Sequence, residues 1–408
     1  MAANRLSRRL FATGAAVAAT ALAVPGVVAA QTPVSTRSTS GVTGESVLQS
    51  LLAMTPNLLG KESNVPRETR FSNLLSHYSH FGLAPLNSNR DPIDPRIPAM
   101  FQFGGVPQDS SFIALEPEHW LELLGFHPFT IHAMLDQRPI DDYFLLLQGA
   151  FEKEAVFGAW ERTGYALTQD SSNIWHLNLD NDTRFDLAFD NGLFGFLGSS
   201  YDYAAYIDET TVVLASHHDY IEQAQQASSL SSQVTTGDPA ITSLTMSMPN
   251  DLSRAFMLPG QSLKERGSWT NPNLSPTQRE EMRRHLKSIS DEYGRTPSIK
   301  AAILGRTPGG PYRGDSLAIL DSSQRATYVA AIALSDRRQS HTYLEIATQR
   351  FDVLYSVGLR QRYWDLMTLE SAQVIDGGIV LMTFTQKGND SHDLFDFYYA
   401  QDLQFLYW

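Results

Sequence analysis

The chain has 408 residues, 31 basic against 44 acidic, a formal net charge of −13 and no cysteine. The acidic balance argues against nucleic acid and anionic lipid as partners. Without thiols there are no disulfides, cysteine-ligated zinc, iron–sulfur clusters, covalently attached haem, thiol nucleophiles or lipidated cysteine, so stability has to come from packing.

Residues 1–30 read as a signal peptide. Arg5, Arg8 and Arg9 give a basic start, Ala12 to Ala30 a weakly apolar run, and Val28 and Ala30 supply the small side chains needed for cleavage between Ala30 and Gln31. Ser7, Arg8, Arg9, Leu10 and Phe11 resemble the twin-arginine (Tat) consensus, which implies export of an already folded protein by the Tat translocation machinery. A retained membrane anchor is the alternative, since the run is long enough to span although rich in Ala and Gly. No later stretch is apolar enough to span, so none is expected in the mature chain. Loss of three leader arginines takes the charge from −13 to −16, which suits a protein kept in solution by an acidic surface.

Residues 31–44 are rich in Ser, Thr and Gly and read as a flexible tether. An N-terminal α+β half is expected over 45–235. It starts with an amphipathic segment bearing Val47, Leu48, Leu51, Leu52 and Leu59, followed by a proline-punctuated loop from Pro85 to Pro98. Tyr143 to Gln148 predicts a buried strand, and Glu152 to Thr163 a helix with Ala155, Val156, Ala159 and Trp160 on one face and Gly164 as its stop. Ile174 to Asp180 and Tyr206 to Ser216 read as strands, with a turn at Asn191 and Gly192 between them and a tight acidic turn reversing the chain into the second, and a helix follows from Asp219 to Ala227.

A connecting segment is expected over 236–312. Its one firm element is a helix, 276–293, announced by Pro276 and a Ser275-x-x-Gln278 capping box, with Met282, Leu286, Ile289 and Tyr293 as an apolar stripe. The C-terminal half, 313–408, predicts a strand at Ala326 to Leu334 and a helix bearing Leu344, Ala347, Phe351 and Leu354. A hairpin of Leu366 to Val374 with Ile379 to Thr385 turns through Asp376, Gly377 and Gly378. A last helix, capped by Ser391, carries Leu394, Phe397, Tyr398 and Leu403. Both halves therefore read strand, helix, strand, strand, helix. The expected fold is α+β, an internal duplication of two ferredoxin-like (β-α-β-β-α) halves with antiparallel sheets, joined by a partly helical segment.

The run from Gly125 to Tyr165, GFHPFTIHAMLDQRPIDDYFLLLQGAFEKEAVFGAWERTGY, resembles a block shared by uncharacterised exported bacterial proteins, and the similarity extends to ATYVAAIAL and the terminal QDLQFL. The resemblance implies export and architecture and brings no activity and no site. Many of those proteins are lipoproteins, whereas this chain lacks the cysteine and carries a twin-arginine leader.

Catalytic signatures are missing: there is no Gly-x-Ser-x-Gly elbow, Ser-x-x-Lys pair or His-Glu-x-x-His helix. Gly305 to Gly310 begins with phosphate-loop spacing, but Pro311 and Tyr312 stand where Lys and Ser or Thr are required. Gly192, Gly195 and Gly198 signal close backbone packing in an apolar strand. Among weaker constellations, His217, His218 and Asp219 follow a strand, yet neighbours on an extended chain diverge, and Asp219 reads as a helix cap. His77 and His80 lack a third ligand. Asp180, Asp182 and Asp186 imitate a calcium loop without its glycine and with Arg184 at a ligand position. Arg313, Gly314 and Asp315 read as loop. Trp120, Trp160, Trp175, Trp269, Trp364 and Trp408 could line a groove, although core packing explains them as well.

The expected protein is thus extracytoplasmic (periplasm, cell envelope or secreted). It is expected to be a non-catalytic binding or scaffold protein, with a small ligand or envelope component as partner and no metal or other cofactor. The alternative is an exported hydrolase or metal-assisted enzyme using His217 or His218.

Overall fold

Runs such as Phe144–Gly149 stay apolar at successive positions, which suits strands covered on both faces. In the computed structural model the described residues are 47–55, 68–100, 117–137, 143–168, 173–177, 201–229, 239–260, 275–309, 325–356, 361–387, 394–399 and 402–407. All of them belong to one compact unit, Glu45–Trp408. Among them twelve strands form one sheet in which every neighbour is antiparallel.

From the middle outward, one side runs β1 (Thr69–Asn73), β2 (Ile131–Gln137), β3 (Phe144–Gly149), β7 (Thr211–Ala215), β6 (Tyr203–Asp208), β5 (Ile174–Leu177) and β4 (Tyr165–Leu167). The other side runs β8 (Arg254–Pro259), β9 (Ile299–Arg306), β10 (Thr327–Leu334), β14 (Ile379–Gln386) and β13 (Met367–Ile375). A separate ribbon pairs β11 (Tyr355–Ser356) with β12 (Gln361–Arg362). β1 and β8 join the two sides, with Phe71 opposite Ala255. Beyond them the two sides correspond in part: a helix follows β3 and β10, and β6 and β13 run parallel to those strands with β7 and β14 lying between, but on the first side the chain forms β4 and β5 before β6.

Side-chain alternation divides the core into three. One face carries Phe71, Leu135, Leu146, Val213, Met257, Ile303 and Ala331, a single apolar layer across both sides. It is covered by α1 (Val47–Ala53), by the helix His218–Ser229 through Ile221 and Ala224, and by the helix Pro239–Met246 through Ile241 and Leu244. The opposite face is split. Met134, Leu145, Leu147, Trp175 and Leu214 meet the helices Leu74–His80, Pro117–Leu124 and Lys153–Arg162, whereas Phe256, Leu304, Tyr328, Ile332 and Met382 meet Ser340–Val353, Leu394–Tyr399 and Gln404–Tyr407. Full burial of a leucine contributes about 2 kcal/mol, so Leu145, Leu146 and Leu147, all at 0% exposure, anchor β3 from both faces.

Several expectations are met: the strand at 144–149, the helix Lys153–Arg162 stopped by Gly164 at φ +94, the helix Pro276–Tyr293, and the hairpin turning at Gly377 and Gly378, both with positive φ. Others are corrected. Whether the halves share one sheet is open from the sequence; they do, because β1 and β8, both unpredicted, pair at its middle. The tight acidic turn expected with the Tyr206 to Ser216 strand lies inside that stretch, between β6 and β7, where the Asp208 carboxylate accepts from the Thr210 amide and hydroxyl. The segment 236–312 adds strands β8 and β9 to its helix. The proline-rich loop contains the short helix Arg96–Met100, begun by Asp94, whose carboxylate takes the Arg96 amide. The last helix is two, Leu394–Tyr399 and Gln404–Tyr407. Ser7, Arg8, Arg9, Phe11, Ala30, Gln31, the tether, Ser391 and the side chains of Met282, Leu286, Ile289 and Tyr293 lie outside what is described.

Candidate functional site

Two polar constellations stand out against these cores. The first begins where β7 ends. Ser216 closes the strand by accepting the Tyr143 amide on its hydroxyl (3.0 Å) and donating its own amide to the Tyr143 carbonyl (2.9 Å). The chain then enters the helix His218–Ser229, whose buried side is set by Ile221 and Ala224. Helical spacing puts His218 and Glu222, four apart, on the outer face beside Asp219. His218 Nδ1 lies 3.8 Å from Glu222 Oε1, and one ligand atom from each of His218, Asp219 and Glu222 lies within 4.8 Å of the others. His218 is half-buried and the two acids are exposed. The imidazole meets the Tyr203 ring edge-on at 5.7 Å, and His176, opposite Tyr203 on β5, stacks on that ring at 4.5 Å. His217 is exposed and turns to the Tyr220 ring, 5.3 Å away and perpendicular. The two expected histidines therefore separate, and Glu222, not singled out in the sequence, joins His218.

The second constellation is the seam on the divided face, where β1 separates the two apolar cores. Across one row the register sets Met134, Ser72, Arg254, Arg306 and Tyr328 side by side, and across the next Asp136, Arg70 and Phe256. Ser72, Asp136, Arg254 and Arg306 are buried. Arg70 donates to Glu68 at 2.9 Å, and Arg306 donates to the Gly309 carbonyl at 2.6 Å with its guanidinium 5.6 Å from the Tyr328 ring centroid. The Arg254 guanidinium lies 5.2 Å from the Phe395 ring and 5.4 Å from Phe256. Like charges opposite each other on neighbouring strands repel, so the aromatic faces and the Asp136 and Glu68 carboxylates are part of what lets the seam close. The sequence signal was a charge at one end of a short apolar run, as in RAFMLP and AAILGR.

A third polar group ties down the C-terminus. The Tyr363 hydroxyl, Asp402 and Ser356 are buried together, with Ser356 donating to Asp402 Oδ2 at 2.5 Å and the single Tyr363 phenol proton shared between Oδ1 at 2.9 Å and the Asp402 carbonyl at 2.6 Å. Burial, reinforced by the Asp402 charge, pushes the Tyr363 phenol well above its ordinary range. Nearby, Tyr343 donates to the Leu406 carbonyl, and burial pulls Arg350 down to about 10. This group is structural: its bonds hold the last helix.

The remaining expected residues do not converge. His77 is buried and stacked on Phe81, which His80 meets edge-on. Among the described residues the metal-capable group of three is His218, Asp219 and Glu222, without either of them. Trp120, Trp160 and Trp175 are core residues, while Trp364 is 47% exposed beneath the Lys387 ammonium at 4.1 Å. Asp180, Asp182, Asp186, Gly192, Gly195, Gly198, Arg313, Gly314, Asp315, Trp269 and Trp408 lie outside the described residues. Among the described residues no helix is long and apolar enough to cross a membrane. No protein-family model matches this sequence, and comparison with curated proteins and with solved structures gives no match.

Proposed function

We propose that the chain is an exported extracytoplasmic protein acting as a non-catalytic binding or scaffold protein, carried out by the Tat machinery and built by duplication of a split β-α-β unit. The observation that carries this reading is the shared sheet. One apolar layer backs both sides, and the charged seam between β1 and β8 is buried, so the two halves are fixed as one broad rigid body. The corresponding strand orders β3, β7, β6 and β10, β14, β13, each with a helix after its first strand, support duplication. The twin-arginine leader and the likeness of residues 125–165 to exported bacterial proteins support export. A small ligand or an envelope component is the partner this reading implies.

The cluster of His218, Asp219 and Glu222 favours a second reading, an exported metal-assisted hydrolase. One experiment tests the export that both readings share, and a second decides between them. Replacing Arg8 and Arg9 together by Lys should leave the protein in the cytoplasmic fraction, and unchanged export would refute the Tat route. Purified protein should turn over no ester, phosphoester, peptide or glycoside, and turnover lost on His217→Ala or His218→Ala would overturn the scaffold reading in favour of the second.

A further inference from the structure

We propose that His218, Asp219 and Glu222 form a surface zinc site, with the imidazole Nδ1 and one oxygen of each carboxylate as ligands and the fourth position left to water. The site deepens the second reading by naming its metal and ligands, and it is tested by binding alone, so it stands or falls apart from any turnover. Its three ligand atoms already lie within 4.8 Å of one another. A tetrahedral zinc with bonds of about 2.0–2.1 Å needs them roughly 3.3 Å apart, a closure of about 1.5 Å or less that the two exposed carboxylate side chains can make toward the imidazole. The backbone does not have to move, because Ile221 and Ala224 fix the helix to the sheet from its other side.

The donor set selects the metal. An imidazole nitrogen with two carboxylates suits a borderline cation such as zinc, whereas calcium takes six to eight oxygens, which these residues cannot supply. The first turn of a helix opposes a cation with about half a positive charge. Two carboxylates beside the imidazole outweigh it. The Tyr203 ring against His218, itself stacked on His176, holds the imidazole plane from behind and leaves Nδ1 toward Glu222. His217 turns to Tyr220 and is left out of the set. That makes the two adjacent histidines unequal, which is the sharpest consequence of the geometry.

The test is calorimetric titration of the purified full chain with zinc, supported by X-ray absorption at the zinc edge. One zinc per chain with an imidazole in its shell is expected. His218→Ala and Glu222→Gln should each weaken binding by about 100-fold or more, while His217→Ala leaves it unchanged. Both altered side chains are outside the core, and thermal melting checks that each variant is folded; if His218→Ala fails to fold, Glu222→Gln decides. No zinc binding, equal loss on His217→Ala, unchanged binding in Glu222→Gln, or preferential calcium binding would each overturn the site.

Discussion

Ser72 offers a test whose sign runs against the usual effect of a core substitution. Its hydroxyl is fully buried on the seam, between Met134 and Arg254 in register, and has no hydrogen-bond partner among the described residues. A buried hydroxyl left unsatisfied costs about 1–3 kcal/mol. Ser72→Ala removes that cost and leaves an oxygen-sized gap, which at about 24 cal/mol per Å³ takes back a few tenths of a kcal/mol. The variant should therefore be more stable by about 1–2 kcal/mol. Ser253 is the control of opposite sign. Also fully buried, it donates its hydroxyl to the Arg306 carbonyl at 3.0 Å, so Ser253→Ala should lose about 1 kcal/mol. Urea unfolding followed by tryptophan fluorescence reads both, as midpoints shifted in opposite directions at an unchanged slope. A Ser72→Ala midpoint lower than that of the native protein would refute the reasoning, because the hydroxyl would then have to be satisfied in solution.

Gly125 has φ +80, and a Cβ added there would stand 2.2 Å from the Ala155 carbonyl oxygen and 2.5 Å from Val156 Cα. Gly125→Ala should cost on the order of 4 kcal/mol or leave the protein insoluble, checked by the same urea midpoint. Tyr363→Phe should lose about 2–3 kcal/mol, because Asp402 keeps its buried carboxylate but loses a donor. Ser356→Ala combined with it should fall short of additivity in a double-mutant cycle. At alkaline pH, burial raises the phenol pKa of Tyr78, Tyr165, Tyr343 and Tyr363. Their protons are held longer in the folded state, so stability present below about pH 10 is lost as pH rises above the unfolded phenol value, at about 1.4 kcal/mol per pH unit per proton. Arg350, lowered to about 10, works the other way but is one group against four. Phenolate absorbance should therefore appear together with unfolding, and ionisation of these tyrosines in a still folded protein would contradict the burial.

Local elements could be read where one local signal dominated. The helix Lys153–Arg162 ends at a glycine with positive φ, and the β13–β14 hairpin turns at two more, because few residues other than glycine accept that backbone. The strands β8 and β9 were missed for a physical reason. Like β3 they are buried on both faces, but the apolar run of RAFMLP is only four residues between Arg254 and Pro259, and that of IKAAILGR is broken by Lys300 and Gly305, so neither stands out as a continuous apolar strand. β1, TRFSN, is too short and polar to stand out, yet it carries Arg70 and Ser72 to the middle of the divided face. At the helix His218–Ser229 the sequence marked both histidines, but which one faces Glu222 depends on where the helix starts and which side the sheet buries.

The sequence by itself determined the acidic balance, the lack of any sulfur cross-link, the reading of the leader, and those strands, helices and turns whose signals lie within a dozen residues. Tertiary structure alone decided that the two halves share one sheet, that charges from β1, β2, β8 and β9 meet at its seam, and that His218 rather than His217 stands with Asp219 and Glu222. The reason is that local signals report the backbone's own preferences. Register between strands far apart in the chain is set by which apolar faces can be buried together, and that is a property of the whole sheet.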